Sequence, residues 1–240
     1  MPEDIILYRV FIAAPRGLDD ERQTFARVLN TYSRAEGIDR QALFLPIGWE
    51  DTLAGVGRPQ SLINEDLDRC DYFVLILHDR WGTPPGGVLQ YTSGTQEEFR
   101  RAMMQVDDPK CRLQKIVVLF KHIQEERYPD PGEQLQKVLA FKTELERSRN
   151  LLYSTFAEPR ELEELLRRHL ADWLRQHDRT STTRKSRELA NARAPDRIAD
   201  VSEPFIADGV IATPGRSMSS STASTAGDGD NLQMKAGADG

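Results

Sequence analysis

Residues 72–77 read Tyr-Phe-Val-Leu-Ile-Leu (YFVLIL), an apolar run rich in strand formers and without a polar interruption. Successive side chains of a strand point to opposite faces, so a strand wetted on one side alternates apolar and polar residues. A strand covered on both faces has no such alternation. This run therefore predicts a central strand with helices packed above and below it, the arrangement of a parallel sheet. Ile116–Phe120 (IVVLF) reads the same way.

Three more strands follow on either side. Tyr8–Ala14 (YRVFIAA) is ended by Pro15 and Gly17, Ala42–Ile47 (ALFLPI) carries Pro46, and Leu151–Phe156 (LLYSTF) comes last. Pro46 has no N–H for a ladder and places its strand near an edge. Apolar residues recur at helical spacing between these runs: Phe25, Val28, Leu29 and Tyr32; Leu62, Ile63 and Leu67; Phe99, Ala102, Met103 and Val106; Leu135, Val138, Leu139 and Leu145. The clearest stripe is Leu162, Leu165, Leu166, His169, Leu170, Trp173 and Leu174, opened by Pro159. Five strands alternating with five helices predict an α/β fold with right-handed crossovers. The expected form is a doubly wound five-stranded parallel sheet, flavodoxin-like, in the order 2-1-3-4-5.

Residues 1–178 are read as this domain and residues 179–240 as a disordered tail or linker rich in Ser, Thr, Gly and Ala. Residues 217–226 (SMSSSTASTA) bury too little apolar surface to offset chain entropy. Val201–Thr213 is an apolar island there, read either as plain linker or as a segment that orders on a partner.

The chain has 240 residues and a formal net charge of -6, with Lys and Arg dispersed among acids, so no global basic surface suits nucleic acid. Two cysteines without CxxC spacing and four histidines without paired helical spacing argue against a disulfide framework and a metal site. No signal-peptide pattern opens the chain and no apolar run spans a bilayer, so the reading is a soluble, cytoplasmic protein with no membrane partner.

Ligands of open parallel sheets bind outside the carboxyl ends of the strands. That rule selects Pro15 and Arg16, then Trp49 and Asp51, then Arg80 and Trp81, and the long loop leading to Glu98. Tryptophan faces stack on a base, arginines meet phosphate, and a carboxylate holds ribose hydroxyls. Each residue also has a duller reading. The tryptophans can cover sheet ends, and Arg16 and Arg80 can pair with Asp51 and Asp79. Neither GxGxxG nor GxxxxGK[ST] occurs, which argues against a hydride-transferring dehydrogenase and a self-contained ATPase, and no cofactor is expected. Ser93 lacks a GxSxG context, so a serine hydrolase is not supported.

Glu98 has two readings. Thr95-Gln96-Glu97-Glu98 has the form of a capping box, with Thr95 capping a helix and Glu98 reaching back to its amide. Alternatively Glu98 is a carboxylate at the crevice mouth that stabilises a developing oxocarbenium ion. A lone carboxylate suffices for a good leaving group such as a pyridinium.

The segments VFIAAPRGLDDERQ, PIGWED, LDRCDYFVLILHDRWG and YTSGTQEEFRRA together resemble the TIR-like family known as domain of unknown function 4062. The signals that carry the resemblance are Glu21-Arg22, Trp49 and Asp51, Cys70-Asp71, Arg80-Trp81-Gly82, and Thr95 with Glu98-Phe99, across about residues 8–175. Ala13-Ala14-Pro15 departs from the serines common at that point in the family. The resemblance implies a TIR-type fold with a role in signalling or antiviral defence. It makes Glu98 similar to the glutamate with which enzymatic TIR domains cleave NAD at the nicotinamide–ribose bond. NAD is then a substrate and not a cofactor. The same resemblance implies, as an alternative, a non-catalytic module that self-associates or binds other signalling domains.

Overall fold

The computed structural model describes residues 4–53, 56–87 and 90–193. Five strands form one parallel sheet in the order β2-β1-β3-β4-β5: β1 Ile6–Ala13, β2 Ala42–Ile47, β3 Tyr72–Leu77, β4 Lys115–Lys121 and β5 Tyr153–Phe156. Helices α1 Asp19–Tyr32, α2 Pro59–Leu67, α3 Gly94–Val106, α4 Gly132–Ser148 and α5 Pro159–Arg193 alternate with them. The doubly wound order expected from the sequence is the one observed.

Every residue of β3 is buried, and the two faces of its pleat feed two separate cores. Tyr72, Val74 and Ile76 pack with Val10, Ile12 and Phe44 beneath α1 and α5, where Trp173 stacks on Tyr72 with ring centroids 4.0 Å apart. Phe73, Leu75 and Leu77 pack with Phe11 and Ala13 beneath α2, α3 and α4, through Leu67, Phe99, Val138 and Phe141. This two-sided burial is why YFVLIL tolerates no polar residue. β2 lies at the sheet edge, where Pro46 pairs inward against Val10 and has no outer neighbour.

Most bounds shift by a residue or so from the sequence reading, and three differences have a structural cause. β1 starts at Ile6 because its first residues already pair with β2, from Ile6 opposite Ala42, before β3 joins at Val10. β5 starts at Tyr153, and Leu152 before it is exposed. α5 runs to Arg193 and crosses the boundary expected at residue 178. In its polar segment Thr180, Thr182 and Thr183 donate their hydroxyls to the carbonyls of Gln176, Asp178 and Arg179, at 2.9, 2.8 and 2.9 Å. The rest of the expected tail, residues 194–240 including the apolar island, lies outside the described residues.

His177 of α5 is buried and ties this helix to the sheet. Its Nε2–H donates to the Arg40 carbonyl at 2.8 Å, which leaves Nδ1 to accept from the Tyr8 hydroxyl at 3.0 Å. Among the described residues no helix is long and apolar enough to cross a membrane.

The chain leaves β1 outward to β2 and returns across it to β3, so the loops after β1 and β3 diverge to opposite faces. Such a reversal opens a crevice at the carboxyl ends of the strands.

Candidate functional site

A crevice of about 530 Å³ lies at that reversal. The loop after β1 contributes Pro15 and Arg16, the loop after β2 contributes Trp49, and the loop after β3 contributes Arg80. Gln60 of α2 and Thr95 and Glu98 of α3 line it as well. Five of the seven residues singled out from the sequence thus share one cavity.

Asp51 and Trp81 do not. Asp51 turns back on its own loop, where its Oδ2 accepts the Gly48 N–H at 2.7 Å, and it lines a neighbouring groove with Glu50 and Pro46. Trp81 is only 5% exposed. Its ring packs against Phe141 at 5.3 Å and its indole N–H donates to Thr92 Oγ1 at 2.7 Å. Burying an aromatic of this size stabilises the core beneath α4, so its duller reading holds. The loop it belongs to is fixed from α4, because Gln134 Oε1 accepts the amides of Trp81 and Gly82 at 2.9 and 3.0 Å.

Arg16 and Arg80 are exposed at the rim and take part in no ion pair among the described residues. Asp79 is held instead by Arg127 at 2.5 Å, with His78 at 3.4 Å. Two cations therefore face the crevice without an internal counter-ion, as anion binding requires. Trp49 is 43% exposed and stacks under the Arg22 guanidinium, 5.8 Å from the ring centroid.

The capping-box reading of Glu98 is overturned. α3 begins at Gly94, and its cap is Ser93, whose Oγ accepts the Gln96 amide at 3.0 Å. Gln96 makes the reciprocal bonds, its Oε1 accepting the Thr92 amide at 2.8 Å and the Thr92 hydroxyl at 2.9 Å. Glu98 sits a full turn inside the helix, 7% exposed, and its Oε1 accepts from Gln60 Nε2 at 2.9 Å. Burial pushes its carboxyl up to about 7, against the pull of the Gln60 hydrogen bond and the Arg22 charge, with Glu97 adding to the rise.

Its neighbour Glu97 is treated in the opposite way. Arg58 donates to both of its oxygens, at 2.9 and 2.5 Å, and Asn64 Nδ2 donates to Oε1 at 2.7 Å. The Arg58 hydrogen bonds hold the Glu97 carboxyl below the usual range. Two adjacent carboxylates are driven apart by their surroundings, the pattern that separates a structural acid from a reactive one.

Arg22 of α1 is a crevice residue to which the sequence assigned no role. It is 7% exposed and ties down the loop after β1 by donating to the carbonyls of Ala14 and Pro15, the latter at 3.0 Å. Its Nε lies 3.2 Å from Glu50 Oε1 but off hydrogen-bond geometry, so this pair is a charge contact only. Gln60, Asn64 and Gln134 also escaped the sequence reading, since nothing in an isolated helix marks a polar residue as buried.

Among the described residues no cluster of His, Cys, Asp and Glu can hold a metal ion. Cys70 is buried with its thiol donating to the Asp66 carbonyl at 3.2 Å, and burial pushes it up to about 12, which leaves it inert.

The chain matches the family described as Domain of unknown function (DUF4062) over residues 9–171. No curated protein matches it. Among solved structures it is similar to translation elongation factor SelB from Methanococcus maripaludis in its apo form, at 14% identity and a TM-score of 0.36. That similarity covers 71% of this chain and 35% of the other, so the chain spans about a third of that protein's length.

Proposed function

We propose that this chain, which belongs to the DUF4062 family, binds NAD in the crevice and cleaves its nicotinamide–ribose bond with Glu98 as the catalytic carboxylate. The observation that carries this reading is a buried carboxylate lining the crevice, held by Gln60 and released from any capping duty. The TIR-like resemblance of the surrounding motifs supports it.

The chemistry suits one carboxylate. As the C1′–N bond breaks, its electron pair passes to the pyridinium nitrogen and neutralises it, so the leaving group needs no proton. Positive charge develops on the ribose, and an ionised carboxylate in a site of low dielectric stabilises it strongly. Water then adds at C1′ and loses a proton. Arg16 and Arg80 are suited to the pyrophosphate, and the exposed face of Trp49 to a planar ring. The ionised form of Glu98 is the active one, so turnover rises with pH through the Glu98 midpoint near 7.

The test is nicotinamide release from NAD by the purified chain beside Glu98→Gln. The expected result is turnover by the wild type and a loss of at least a hundredfold in the variant, about the size of a removed electrostatic stabiliser. Concentrated protein that leaves NAD intact, with and without crowding agents or candidate activators, would overturn the reading in favour of a non-catalytic interaction module.

A further inference from the structure

We propose that Gln60 is a positioning residue, the last member of a polarised chain of side chains, Arg58–Glu97–Asn64–Gln60, that keeps a hydrogen-bond donor aimed at Glu98. The order of this chain follows from what each group can do. Glu97, paired with Arg58, only accepts. Asn64 must therefore turn its Nδ2 toward Glu97, at 2.7 Å, which leaves Oδ1 on its other side. Gln60 in turn places Nε2 between Asn64 Oδ1, at 3.4 Å, and Glu98 Oε1, at 2.9 Å. Were the Asn64 amide reversed, Gln60 would offer its carbonyl oxygen instead, and only a protonated Glu98 could bond to it. The ion pair at Arg58 thus selects, through two amides, the ionised form of Glu98.

The slot for the Gln60 amide is built into α3. A Cβ at Gly94 would stand 2.4 Å from Gln60 Oε1, so a larger residue at the helix start would push this amide from its place. Gln60 and Asn64 are 7% and 5% exposed, so neither amide can turn to water for its partner. Glu98 Oε1 is thereby engaged, while Oε2 has no hydrogen-bond partner among the described residues and is left for a ligand. The other charges facing Glu98 are Arg22 from α1, Glu97 beside it, and Arg16 and Arg80 across the crevice. None of them donates a hydrogen bond to it.

The catalytic meaning of this chain rests on the reading of Glu98 given above, but its test needs no substrate. The titration of Glu98 is followed in the full chain by carbon-13 NMR of glutamate carboxyls, the resonance being assigned by its loss in Glu98→Gln. Gln60→Met keeps the length and removes the donor. The expected result is a rise of the Glu98 midpoint by about one to two pH units, the worth of one hydrogen bond to a charged acceptor. Gln60→Glu, close in shape, raises it as well, and Asn64→Leu raises it less because Gln60 remains but is no longer oriented. Should Gln60→Met fail to fold, Gln60→Leu, which also removes the donor and adds no charge, carries the same test. A midpoint unmoved in a folded Gln60 variant overturns the inference. A wild type that consumes no NAD overturns the proposed function alone, and NAD turnover that depends on Glu98 with an unmoved midpoint overturns this inference alone.

Discussion

Glu98 burdens the fold that holds it, and the burden can be measured as a function of pH. An isolated glutamate titrates at 4.5, whereas in the folded chain burial raises Glu98 to about 7. Between these values the folded protein retains a proton that the unfolded chain has lost, so stability falls as pH rises. The penalty is absent below the unfolded value and complete above the folded one. A difference of roughly 2.5 units at about 1.4 kcal/mol each corresponds to about 3–4 kcal/mol at alkaline pH, a large share of a typical domain stability. Glu98→Gln fits the same space, retains a partner in Gln60 and has no charge to bury. Urea unfolding of wild type and variant at about pH 5 and about pH 8, with m-values unchanged, compares them directly. The expected result is a variant whose advantage widens by about 2–3 kcal/mol between the two conditions. Other titrating groups contribute equally to both proteins and cancel. A gap that does not change with pH, or that narrows, would refute the argument that burial and not capping governs this side chain.

Three further outcomes follow from the same geometry. Arg58→Ala leaves Glu97 buried without its cation and should destabilise by about 2–3 kcal/mol, discounted for the partial exposure of Arg58. Because the Glu97 carboxyl is depressed in the folded chain, this loss should be full at neutral pH and fade as pH falls through its titration, as urea unfolding will show. Gly94→Ala drives a methyl into the Gln60 amide and should lower stability by about 1–3 kcal/mol, visible as a lower thermal midpoint. Trp81→Ala should cost about 3–5 kcal/mol of stability, whereas Trp49→Ala should cost only about 1 kcal/mol, through the lost contact with Arg22, and weaken NAD binding in calorimetry.

The fold was legible because it depends on patterns that survive without coordinates. The unbroken run at Tyr72–Leu77 and the proline at position 46 report burial and edge position directly. The helix start near Glu98 is ambiguous in the sequence for a local reason. Two capping frames overlap there, Thr95 with Glu98 and Ser93 with Gln96, and each satisfies the same spacing rule. The choice between them is made from outside, by Gln60 reaching Glu98 from another helix. Trp81 and Asp51 lie outside the crevice for similar reasons. The strand-end rule locates their loops, but the direction of each side chain is set by Phe141 and Thr92 in one case and by the Gly48 amide in the other. Arg22 stands among acids in the first turn of α1 and looks like an ordinary solvated charge. In the fold it is buried and bonded to the carbonyls of Ala14 and Pro15, just past the end of β1.

The three tryptophans, finally, divide the molecule optically. Trp173 lies against Tyr72 in one core and Trp81 against Phe141 in the other, while Trp49 stands at the mouth of the crevice. Each face of the sheet therefore carries its own emitter, and the third reports on the ligand's doorway. Light absorbed at the red edge should excite Trp49 preferentially, and a quencher in water should reach it first. Occupation of the crevice and loosening of either core would then appear as separate changes in the emission of one unlabelled protein.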